Sequence, residues 1–152
     1  MVQAFLLFLA LVAPGIAGAQ VADMRDSPLD PGASVAFLGI TLIDTSTEGA
    51  YDGERPDQTA RIELLEDEVA ARFASEGFVL VDTAPEAERL EATTNPADCY
   101  GCDVRMAERL GADYVLVGEV QKVSNLIISM NLVMRSVPDA TMVRGLSVDV
   151  RS

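Results

Sequence analysis

The sequence predicts an α/β chain of the α+β kind: a single mixed β-sheet of about five strands, helices mainly on one face, in the order β-α-β-α-α-β-β-β. Three observations predict it. Ser34 to Leu42 (SVAFLGITL) is a nearly continuous apolar run of strand length, as in a strand covered on both faces. Ile62, Leu65, Val69 and Phe73 recur at helical spacing. The last third alternates with period two: Leu126, Ile128, Met130, Leu132 and Met134 against Ile127, Ser129, Asn131, Val133 and Arg135.

The elements follow in order. After the first strand, Ile43 to Asp57 is polar, acidic and glycine-containing, the composition of a loop. Pro56 suits the first turn of a helix, Asp57 its positive end, and Gly77 its C-terminal stop. Phe78 to Val81 (FVLV) reads as a second buried strand, and Asp82 to Pro96 holds a short helix broken before Asn95-Pro96. Asp103 to Leu110 forms another short helix, with Val104, Ala107 and Leu110 or Met106 inward and Gly111 as stop. Asp113 to Val120 is the third strand, and Gly118 to Asn125 joins it to the fourth, with Glu119 and Lys122 placed to pair across the turn. Pro138-Asp139 turns the chain into a final strand that alternates Leu146, Val148 and Val150 against Ser147, Asp149 and Arg151.

The N-terminus reads as an export signal. Residues 2–19 carry no charge, Phe5 to Val12 is an apolar core, Pro14-Gly15 breaks it, and Ala17 and Ala19 suit cleavage after Ala19. The core is too short for a stop-transfer helix across a bilayer of ~30 Å. The n-region has no Lys or Arg, so an uncleaved membrane tether is the alternative. No cysteine follows the cleavage point to carry a lipid anchor. The expected organisation is signal peptide 1–19, linker 20–33 and a single domain 34–152, in the periplasm, with no integral membrane span after cleavage.

A net charge of −13 argues against nucleic acid or an anionic lipid surface as partner, since both need a basic face. It permits cations or basic proteins, or simply keeps an exported chain soluble. There is no histidine, which removes the commonest general base, metal ligand and nucleophile partner. No phosphate loop, dinucleotide fingerprint or nucleophile elbow is present, and no cofactor is expected.

Two motifs remain. Cys99-Tyr100-Gly101-Cys102 in an exported chain should oxidise to a disulfide. A thiol-disulfide redox site is one reading, since a helix start lowers thiol pKa. The motif follows a polar coil, not a strand, which favours a structural clip of small entropic effect. Asp103 stands where haem attachment needs His, and zinc lacks further soft ligands. The loop from Asp44 to Arg55 partly matches a calcium loop, with oxygen ligands from Asp44, Ser46, Glu48, Asp52 and Glu54; Arg55 stands where a bidentate Glu is required. The alternative there is a solvated acidic turn.

The stretch Ile43-Asp44-Thr45-Ser46-x-Glu48-Gly49, the Cys-x-x-Cys and LGADYVLVGEVQKVSNLI resemble an uncharacterised family of proteobacterial exported proteins catalogued as a domain of unknown function. The resemblance spans roughly Ser34 to Arg151. Members often continue past the final strand with a polar, Trp-containing block; this chain has no Trp. More distantly, the strand–helix–strand–LGADYVLxGxV pattern resembles the α/β domain of the curli secretion component and of the N-terminal part of the Tol-system translocation protein. Those resemblances imply a non-catalytic accessory domain that binds envelope proteins. Expected contact surfaces are the polar turns at Asp44–Asp57 and at Gln121, Lys122, Ser124 and Asn125, or the edge of the last strand.

Overall fold

The computed structural model describes residues 29–151; the expected signal peptide, most of the expected linker and Ser152 lie outside them. One five-stranded sheet organises the fold, with β1 (Ser34–Asp44), β2 (Val79–Leu80), β3 (Tyr114–Ser124), β4 (Ile127–Ser136) and β5 (Met142–Arg151) in the order β2-β1-β3-β4-β5. β1 pairs parallel with β2 and β3, and β3–β4 and β4–β5 are antiparallel. The helices are α1 (Thr47–Asp52), α2 (Pro56–Ser75), α3 (Ala87–Glu91) and α4 (Cys102–Arg109). The domain's packing starts before Ser34: Ala33 is buried and Leu29 packs against the core.

Strand order dictates where the helices go. The first crossover leaves β1 for β2 on one side; the second returns past β1 to β3 on the other. Right-handed connections that reverse direction must run over opposite faces. Accordingly α2 presents Ile62, Leu65, Val69 and Phe73 to Val35, Ile40, Leu116 and Val120 on one face. α3 and α4 bring Leu90, Met106 and Ala107 to Ala36, Leu38, Val115 and Val117 on the other. The helical cover lies on both faces but mainly on that of α2, the longest helix. The predicted order of elements holds, with α1 added inside the expected loop.

A bulge lets β1 serve both layers. Phe37 pairs with Leu116 and Ile40 with Gly118, so Leu38 and Gly39 together oppose Val117. Gly39 has φ 92°, a left-handed conformation that suits glycine. The Ile40 amide, turned out of the ladder, donates to Glu66 Oε1 of α2 at 2.6 Å. A methyl group at position 39 would lie 2.9 Å from that oxygen.

Two expectations need correction. The second strand is a two-residue edge strand with Val79 exposed, because only Phe78 and Leu80 reach the α2 layer. β3 runs on to Ser124, so Glu119 and Lys122 do not face each other across a turn. Three residues apart in one strand, they point to opposite faces. Glu119 accepts instead from Asn95 Nδ2 at 2.9 Å, tying the segment before α4 to the sheet.

Met106, 1% exposed, is the largest fully buried side chain of the α4 layer. Met106→Ala should cost about 2–5 kcal/mol in urea unfolding. Leu64→Ala, on the solvent side of α2, should stay within about 0.5 kcal/mol. Equal midpoints for the two variants would contradict this placement of the core.

Candidate functional site

The C-terminal ends of β1 and β3 meet the start of α2, and the densest polar network lies there. Lys122, the single lysine, is 7% exposed and is the register partner of Asp44. Its Nζ donates to Asp44 Oδ2 at 3.1 Å, and Gln58 Nε2 of α2 donates to the same oxygen at 3.3 Å. Asp44 Oδ1 accepts from the Ser46 amide at 2.9 Å and the Ser46 hydroxyl at 2.5 Å. Ser46 in turn caps α1, its Oγ accepting from the Gly49 amide at 3.1 Å. Gly49 sits so close that a Cβ there would lie 2.4 Å from the Asp44 carboxyl carbon. The Ser46 side-chain hydrogen bond, followed by the Ser46 amide, Lys122 and Gln58, lowers the Asp44 pKa to about 2 against the cost of burial.

The acidic loop divides between this network and solvent. Of its five oxygen residues, Asp44 and Ser46 meet through the α1 cap, and Glu48 accepts from Asn125 Nδ2 at 2.9 Å. Asp52 and Glu54 are exposed. Among the described residues, no three Cys, Asp or Glu side chains converge as metal ligands. The cation beside Asp44 is the Lys122 ammonium.

The polar turn is split in the same way. Lys122 and Asn125 face the α2 side. Gln121 lies on the opposite side of the strand, and Ser124 Oγ accepts from the Leu126 amide at 3.1 Å. What sequence reasoning missed is the groove these residues border. It has a volume of about 460 Å³, with Ile62 and Leu65 of α2 as its wall. Its floor is built from cross-strand ranks: Leu42–Val120–Met130–Val148, then Lys122–Ile128–Val150. Arg55, Asp57, Gln58 and Arg61 of the α2 start form its rim. The signal was present in the alternation of Leu146, Val148 and Val150, for which the described residues supply no second long helix.

Two further ion pairs hold the opposite layer. Buried Glu86 accepts from Arg109 at 2.8 and 2.7 Å, tying the turn before α3 to α4, and Arg109 holds its carboxyl below the ordinary range. Buried Asp103 accepts from Arg135 Nη1 at 2.6 Å. Cys99 and Cys102 form a disulfide with Cα atoms 5.4 Å apart. It closes the turn before α4, where Tyr100 (φ 53°) stands 97% exposed. The cleft beside it shares no lining residue with the groove.

Asp113 is also held low, chiefly by the Ser34 amide. Carboxyls whose folded pKa lies below the unfolded value stabilise the fold above about pH 4, and that contribution is lost as pH falls toward 2. Asp44→Asn should therefore lower Tm at pH 7, leaving Lys122 buried without its counter-charge. The gap from the unaltered protein should shrink below pH 3. A gap constant from pH 7 to pH 2.5 would refute the assignment.

No curated protein matches the sequence significantly. Solved structures match its fold. The LpoB C-terminal domain from Salmonella enterica aligns with a TM-score of 0.61 at 13% identity, covering 85% of this chain and 90% of that one. The Escherichia coli LpoB C-terminal domain gives 0.55 at 16%, covering 84% and 89%. Lipoprotein GNA1162 from Neisseria meningitidis gives 0.53 at 16%, covering 79% and 81%. At such identities the likeness is one of fold. The profile of the family described as "Protein of unknown function (DUF2380)" matches residues 33–152, and the chain belongs to that family.

Proposed function

We propose that this chain is an exported, non-catalytic accessory domain of the periplasm that binds another envelope polypeptide along the free edge of β5. One observation carries the reading: β5 is a ten-residue outer strand whose α2-side residues Leu146, Val148 and Val150 are 49, 37 and 57% exposed. Proteins guard outer strands by making them short, by charged side chains, by proline, or by bulges, and the β5 charges at Asp149 and Arg151 stand on the face away from α2. β2, the other outer strand, is two residues long. From Arg144 to Arg151, β5 pairs with β4 without a register shift and contains no proline. Its backbone and alternating side chains suit a partner that adds an extended segment.

The setting rests on the uncharged N-terminal segment and the disulfide. Among the described residues, no helix is long and apolar enough to cross a membrane. The neighbour GNA1162 is itself described as a lipoprotein. For catalysis the chain offers no imidazole; Glu86 and Asp103 are paired with Arg109 and Arg135, and Lys122 with Asp44.

The test is affinity capture from the envelope fraction of the producing cell, with the unaltered chain and with Leu146→Lys. One discrete polypeptide should be retained by the first and lost, by at least ten-fold, with the second. Both proteins should show the same circular dichroism. Equal retention by the two, or turnover of a small molecule by the purified protein, would overturn the reading.

A further inference from the structure

We infer that the groove between α2 and the β3–β5 half of the sheet is a binding site for a free single-chain amphiphile with a carboxylate head, of the fatty-acid class. The floor is apolar across four strands in one register: Leu42, Val120, Met130 and Val148 lie side by side. Three inter-strand steps span about 14 Å. An extended alkyl chain of about ten to twelve carbons matches that span. The volume of about 460 Å³ falls in the range of small-molecule sites, roughly 300–1,000 Å³.

Charge selects the head group. The chain carries −13 overall and only 11 basic residues. Arg55, Arg61 and Lys122 line this one groove, with Asp57 the single carboxylate among its lining residues. Arg55 Nε and Arg61 Nη2 lie 3.1 and 3.5 Å from the two Asp57 oxygens, so one carboxylate already sits between two guanidinium groups. Each guanidinium has five N–H donors, and Asp57 engages one nitrogen of each. The remaining donors suit a second carboxylate at the rim, while the tail lies on the floor. Gln58 and Asn125 add amide groups at the same end. Lys122 is neutralised by Asp44, which leaves the head group to Arg55 and Arg61.

The probe is laurate, compared with dodecyltrimethylammonium, each below its micelle concentration, titrated into the purified protein by calorimetry. Laurate should bind saturably with one-to-one stoichiometry, and the ammonium amphiphile at least ten-fold more weakly. Arg55→Glu with Arg61→Glu should weaken laurate at least ten-fold and remove the preference between head groups. Val150→Asp should abolish binding of both, and Leu64→Ala should change neither.

Equal affinity for the two head groups in the unaltered protein would reduce the groove to an apolar patch and overturn the assignment. So would absence of saturable laurate binding at millimolar concentration. Co-sedimentation with phosphatidylglycerol vesicles without binding of free laurate would point to a bilayer surface instead. A dimer that Val150→Asp converts to monomer, with no effect of laurate, would give the groove to a second copy. Arg55 and Arg61 lie on α2, away from the β5 edge. Failure of laurate binding therefore leaves polypeptide capture standing, and failure of capture leaves the groove standing.

Discussion

The fold depends on one constraint: β1 is flanked by parallel partners on both sides, so it is enclosed on both faces. Val35 and Ala36 are fully buried on opposite sides of it, and the pattern continues through Leu38 and Ile40. Parallel neighbours require crossovers, and two crossovers in opposite directions place helices above and below. The Leu38–Gly39 bulge lets the strand keep apolar contact with both layers after its register shifts. β4 and β5 hang from β3 by hairpins: Met134 and Arg135 of β4 still meet the two helical layers, while β5 lies largely outside them. The half-open sheet is thus a product of connectivity.

The same geometry locates the polar network. Carboxyl ends of parallel strands, where crossovers diverge, are where α/β sheets gather side chains from several elements. Here they gather Asp44, Lys122, Gln58 and Ser46. Sixteen or more kilodaltons of chain are not needed to see why these groups are quiet: each charge has a partner in contact, and the two outer carboxylate oxygens are shared among four donors.

Much of this was legible in the residues. The Ile62–Phe73 spacing marked the buried stripe of α2, and the Ile128–Met134 alternation marked which face of β4 turns to the core. Short-range rules work there because the period itself is the cause. They failed at α1, whose six residues include no buried side chain and whose start depends on Ser46, itself fixed by Asp44. They failed at Glu86–Arg109 and Asp103–Arg135, where partners 23 and 32 residues apart meet through topology. They also failed at the groove, which requires knowing that α2 stops short of β4 and β5. Asp44 and Lys122 were each singled out, but as loop ligand and turn residue; their pairing follows from parallel register across 78 residues.

Lys122 is the chain's only ε-amine, and it is enclosed beside a carboxylate. In the folded protein that amine is held inside an ion pair, so reagents that acylate exposed amines reach it only as this end of the sheet opens. Acylation of one side chain thereby reads the separation of β1 from β3 at a single known position.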